Sequence, residues 1–134
     1  MLIILLVLVA VFVGILAVHG YKQWRVRLLQ KIHDNEYNAA VTIWEYGRMV
    51  KNEVEAAVRA SGGALDFKRL AVPHSPGYNV SLEMIGAYFR VYAVPKKYKR
   101  TGTLSFLTDS TLSVRAADRS GQNATPEDDE YRGD

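Results

Sequence analysis

The side chains able to do chemistry are few and scattered. Ser, His and Asp are all present, but no G-x-S-x-G elbow, no H-E-x-x-H pair and no phosphate-cradling glycine loop links them. His19, His33 and His74 are widely spaced and form no metal-ligand pattern, and there is no cysteine, so neither a thiolate site nor a disulfide framework exists. Glu53 and Glu55 point to different sides of a helix and make no acid/base pair. The expectation is no enzyme, no cofactor and no metal. One charged cluster stands out: Lys96, Lys97, Lys99 and Arg100 surround Tyr98. It reads as a solvated hairpin loop or a lateral contact to an acidic neighbour, with phosphate contact as the weaker alternative. The acidic run 127–130 is a candidate for that neighbour's partner. Asn79-Val80-Ser81 and Asn123-Ala124-Thr125 are glycosylation sequons by pattern, and Arg132-Gly133-Asp134 resembles an adhesion tripeptide; chance explains all three.

The elements that carry these residues begin with an apolar rod. Residues 1–18 contain no charged side chain. As a helix they cover roughly 27 Å, close to the hydrocarbon core of a bilayer. No basic stretch precedes Leu2 and no A-x-A site follows Val18, so a cleaved signal peptide is not expected. From Tyr21 to Ala60 there is no proline, and apolar residues recur at helical spacing: Trp24, Leu28, Ile32, then Ala39, Ala40, Ile43, Trp44, then Val50, Val54, Ala57 and Val58. Lys22, Arg25, Gln30, Asp34, Glu45, Arg48, Lys51 and Glu55 take the other side. Gly47 is a modest local weakness by propensity, and the glycine at His19-Gly20 gives the helix a place to kink. Ser61-Gly62-Gly63 stops the helix. Beyond it, Leu65, Phe67, Leu70 and Val72 are positioned to pack back onto it.

The period then changes. Residues 78–84 and 88–94 alternate as strands, 103–108 reads as a third, Asp109-Ser110 as a tight turn, and 111–115 as a fourth. Short connections imply an antiparallel meander. The order is therefore a transmembrane helix part (1–20), its amphipathic continuation (21–61), a loop with an antiparallel sheet (62–116), and a polar tail (117–134) expected to be extended or partly disordered.

An α+β chain with a helix that is half in lipid and packs on a four-stranded antiparallel sheet resembles the type IV pilins and type II secretion pseudopilins. Gly14-Ile15-Leu16-Ala17 falls in the register of the family's N-terminal helix when Met1 is the first mature residue. Further on, Ala93-Val94-Pro95, then Thr101-Gly102-Thr103-Leu104-Ser105-Phe106, Asp109, Val114-Arg115-Ala116-Ala117-Asp118 and Ala124-Thr125-Pro126-Glu127-Asp128 are similar, in order and spacing, to a pilin-like subset. The resemblance implies a structural subunit, a minor pilin or pseudopilin, of a type IV pilus or type II secretion filament. Its partners would be other pilin-like subunits, an inner-membrane assembly machinery and the lipid bilayer. It would sit in a bacterial inner membrane with its C-terminal domain outside the cytoplasm, and be extracellular once assembled.

Met1, Leu5, Gly14, Trp24 and Leu28 are the helix-packing positions this reading selects, while residues 39–58 pack on the chain's own sheet. Two departures matter. Leu5 stands where polymerising members carry a glutamate, and Lys22 lies near where a family proline would fall. Either a leader has been removed before Met1, or Met1 is an initiator; the resemblance favours the first. Lys22, Arg25, Arg27 and Lys31 directly follow the apolar rod, and by charge alone that flank belongs in the cytoplasm, the reverse of the pilin orientation. The alternatives are a single-pass, membrane-tethered accessory or binding protein that never polymerises and, more weakly, a DNA-capturing minor pilin acting through Lys96, Lys97, Lys99 and Arg100.

Overall fold

The computed structural model describes residues 2–60, 65 and 70–133. Helix α1 covers Leu2–Arg59, and four strands follow: β1 (Tyr78–Ile85), β2 (Tyr88–Pro95), β3 (Ser105–Asp109) and β4 (Val114–Ala117). The fold is α+β with the sheet order β1-β2-β3-β4, every neighbouring pair antiparallel. The chain forms two units, Met1–Lys31 and Ile32–Asp134.

The first unit is helical throughout its described residues, Gly20 included. Its length and apolar composition suffice to cross a membrane. Its described aliphatic side chains are largely exposed, a surface of the kind that lipid or other helices would cover.

In the second unit, Ala39, Ile43, Tyr46 and Val50 repeat at helical spacing and are buried against Phe89, Val91, Ala93 and Phe106 of the sheet. Ile43, Val50, Val91 and Phe106 are fully buried, each side chain contributing about 1.5–3 kcal/mol by burial. Small residues let the helix come close. A Cβ on Gly47 would lie 2.9 Å from Thr108 Cγ2, so this glycine marks a close approach of helix to sheet that a side chain would obstruct. The β1–β2 hairpin closes at Ile85↔Tyr88 through Gly86-Ala87, with Gly86 at φ 62°, as the first central residue of a type II′ turn requires.

The strand bounds differ from the sequence reading for local reasons. The Thr103 and Leu104 amides donate to Glu36 Oε1 at 2.7 and 3.0 Å, so they are outside the ladder and β3 starts at Ser105. Asp109 Oδ1 accepts from both the amide (2.8 Å) and the hydroxyl (2.6 Å) of Thr111, which holds that residue in the turn and delays β4 to Val114.

The polar tail is the main correction. Instead of being extended and loose, it folds back beside β4. The Ala116 amide donates to the Asp129 carbonyl (2.9 Å) and the Tyr131 amide to the Val114 carbonyl (2.7 Å). Ala124 is buried with Tyr92 and Leu107 on the side of the sheet away from the main core, and Tyr131 meets Phe106 edge-on at 5.1 Å. Leu70 is buried as expected, and its carbonyl accepts the Tyr46 hydroxyl; Leu65 packs on the core, and Val72 is exposed. The expected breaker at 61–63 and Phe67 lie outside the described residues.

Candidate assembly surface and basic loop

The first candidate surface is the apolar part of α1. Twelve large aliphatic or aromatic side chains between Ile3 and Val18 are each at least 54% exposed. Nothing lies within 4 Å of a Cβ built on Gly14, so that position is open to close approach by another helix. Trp24 is exposed and stacks loosely with Tyr21 at 6.0 Å, while Leu28 is half-buried. The side chains of Met1 and Leu5 lie outside the described residues. Of the stripe Trp24, Leu28, Ile32, only Ile32 belongs to the buried set.

The second is the basic loop. Lys96, Lys97, Lys99 and Arg100 are all exposed. Their backbone is tightly specified: Lys99 N donates to Gly102 O (2.8 Å), Arg100 N to Lys97 O (3.0 Å), and Thr101 Oγ1 accepts from Lys97 N (3.0 Å). Asn35 on α1 holds the loop by donating from Nδ2 to Thr101 O at 2.8 Å. Gly102 is obligatory, because a Cβ there would fall 1.9 Å from Tyr78 Oη. That hydroxyl donates to Leu104 O (2.8 Å), and burial, with Glu36 and Tyr131 nearby, pushes its ionisation up.

Tyr98 does not merely sit among cations. Its hydroxyl donates to both Asp118 oxygens, at 2.8 and 2.9 Å, and Lys99 Nζ is 5.3 Å from its ring centre. The Ser120 amide first, then the Tyr98 hydroxyl and Lys99, hold the Asp118 carboxyl below its usual range. The loop thus carries its own acid. The run 127–130 is also partly engaged at home. Asp128 accepts from Arg119 Nε at 3.2 Å, from the Arg119 Nη2, and from the Thr125 amide at 2.7 Å; Glu130 accepts the Ser113 hydroxyl at 2.9 Å. The Arg119 contact keeps the Asp128 carboxyl low.

Along the outer side of the helix, Tyr37, Val41 and Trp44 face Val114 and Tyr131 across an open apolar groove of about 350 Å³. Among the described residues, no three His, Asp or Glu side chains come together as a metal site would require.

Sequence reasoning passed over Asn35, Glu36 and Asp118. A signal for Asn35 was present: it shares a register with Ile32, Ala39 and Ile43, and a polar side chain at a core position needs a buried partner. Glu36 and Asp118 gave none, since their partners lie 67 and 20 residues away. Comparison with protein-family models, curated proteins and solved structures found no match for this chain.

Proposed function

We propose that this chain is a structural subunit of a pilin-like filament, a minor pilin or pseudopilin of a type IV pilus or type II secretion system. One observation carries the reading: an apolar helical segment with its large side chains exposed belongs to the same helix that, further on, is packed on an antiparallel four-stranded meander. The segment would lie in the inner membrane before assembly and bury itself among neighbouring helices afterwards. Because lipid and protein interiors are similarly apolar, helix-to-helix fit, with Gly14 at a close contact, would stabilise the fibre more than burial itself. The groove beside Tyr37, Val41 and Trp44 offers further apolar surface to a neighbour.

Leu5 favours a second reading, in which the protein stays in the bilayer as a single-pass accessory or binding protein. Electron microscopy of cells carrying an epitope-tagged chain separates the two. The filament reading expects label on filaments, along the shaft or at the tip. Label confined to membranes, in cells that make filaments, refutes it. DNA capture through Lys96, Lys97, Lys99 and Arg100 gains no support from Asp118, which places a carboxylate in the same cluster.

A further inference from the structure

Charge is unevenly divided along the chain. Residues 1–31 hold four of the seventeen Lys and Arg (Lys22, Arg25, Arg27, Lys31) and none of the fourteen Asp and Glu; the first carboxylate is Asp34. This segment therefore carries +4 of a net +3, and residues 32–134 together carry −1. The mildly basic character of the protein resides entirely in ten residues that follow the apolar rod.

Those four side chains are exposed on α1. Along the axis they lie roughly 6, 10, 14 and 20 Å beyond Val18. A headgroup layer is about 5–8 Å deep; helical side chains slant toward the N-terminus, so the stems of Lys22 and Arg25 bring their charges into it, while Arg27 and Lys31 stand beyond it and attract its phosphates across roughly a Debye length. At about 100° per residue, Lys22 and Arg25 point to one side of the helix, and Arg27 and Lys31 to the opposite side. Cations on opposite sides form a collar and not a stripe. A nucleic acid lying along a helix needs its contacts on one face. A bilayer surrounds a spanning helix, and its phosphates meet it on every side. Tyr21 and Trp24, both exposed and with rings 6.0 Å apart, stand at the same level, where amphipathic aromatics prefer the interface.

We propose that Lys22, Arg25, Arg27 and Lys31 gather anionic phospholipid headgroups around the helix at the bilayer surface. The proposal rests on residues 1–18 spanning a bilayer and is independent of whether the protein forms filaments.

The test uses the full chain reconstituted in phosphatidylcholine vesicles with trace spin-labelled phosphatidylglycerol or phosphatidylcholine. The immobilised lipid fraction is read by electron spin resonance. Phosphatidylglycerol should associate roughly three- to tenfold more strongly than phosphatidylcholine at low salt, the preference shrinking as salt screens the charges. Changing all four to glutamine (K22Q, R25Q, R27Q, K31Q) should abolish it. The pair K22Q and R25Q, nearest the headgroups, should lose more than K31Q alone. The triple variant K96Q, K97Q and K99Q should retain it. Equal association of both lipids, a preference that survives the quadruple variant, or one lost in the triple variant overturns the proposal while leaving the filament reading untouched. A chain that fails to float with the vesicles overturns both the proposal and the membrane span. All four residues are exposed, and circular dichroism of each variant checks that the helix is kept.

Discussion

Gly47 offers the sharpest test of how the second unit is held together. In an exposed helix, replacing glycine by alanine stabilises by about 1 kcal/mol, through backbone entropy and helix propensity. Here the added methyl would lie 2.9 Å from Thr108 Cγ2 and 3.6 Å from Leu112 Cδ2. Thr108 is fully buried and β-branched, so its methyl cannot swing aside. Overpacking of this kind costs ~1–3 kcal/mol, which outweighs the propensity gain. G47A should therefore destabilise the unit by ~1 kcal/mol. Removing the obstructing methyl with T108S makes room, and in that background the same G47A change should become stabilising by ~0.5–1 kcal/mol. The double-mutant cycle should thus show a coupling of ~1.5–2 kcal/mol of favourable sign. Urea unfolding of the full chain in detergent, followed by tryptophan fluorescence, measures all four proteins; Trp44 lies one turn from Gly47. A G47A protein more stable than wild type, or a cycle with no coupling, would show that helix and sheet are not in contact at this point.

Two other contacts give independent predictions. E36A removes the acceptor of the Thr103 and Leu104 amides; both residues are only half-buried, so water recovers part of the loss, and unfolding in the same assay should shift by ~1–2 kcal/mol. E36Q, which keeps one carbonyl oxygen, should cost less than half of that. D128N weakens the Arg119 pairing and should destabilise by ~1 kcal/mol at pH 7, a figure kept small because the arginine is 39% exposed. The carboxyl is held below its usual range, so its contribution is present above about pH 4 and is lost as pH falls through the lowered value. Wild type and D128N should therefore converge in stability on acidification, and a gap that stays constant from pH 7 to pH 2 would remove Asp128 from the account.

How far the fold could be read in advance depended on the range of the interactions that set each element. Helix α1 and strand β1 follow from periodic burial, which a chain displays locally: Ala39, Ile43, Tyr46 and Val50 on one side of α1, Val80, Leu82 and Met84 alternating in β1; β3 is buried on both faces and β4 is half-buried throughout. The start of β3 depended on Glu36, which lies too far upstream for any local pattern to connect it with Thr103. The tail was misjudged for a similar reason. Its composition resembles that of a disordered segment, yet Arg119, Thr125 and Asp128 satisfy one another within ten residues, and two apolar anchors, Ala124 and Tyr131, reach the sheet. Average polarity does not register a small number of well-placed contacts. The basic loop was visible as charge, but the Asp118 carboxylate that Tyr98 engages was not. Gly47 is a modest weakness by helix propensity, but propensity carries no information on what stands opposite, here Thr108.

The apolar rod and Leu5 bear together on the remaining functional choice. Twelve large side chains exposed between Ile3 and Val18 would cost well over about 10 kcal/mol if left in water, and the proposed function offers two covers for them, lipid and other helices. Neither cover is favoured by hydrophobicity, since both are apolar; close packing has to decide, and Gly14 is open to close approach by a second helix, as Gly20 is. A glutamate at position 5 would tilt the balance, because an unpaired carboxylate is costly in hydrocarbon and is relieved only by a partner charge. Leu5 removes that cost from the lipid-bound state and with it a driving force toward the fibre. In a filament, this chain would then be retained by its neighbours' fit and by contacts of the second unit, such as the Tyr37–Trp44 groove, more than by its own drive to leave the membrane. Low abundance in filaments with a large membrane pool is the distribution that follows, and the ratio of filament to membrane label is the quantity that measures it.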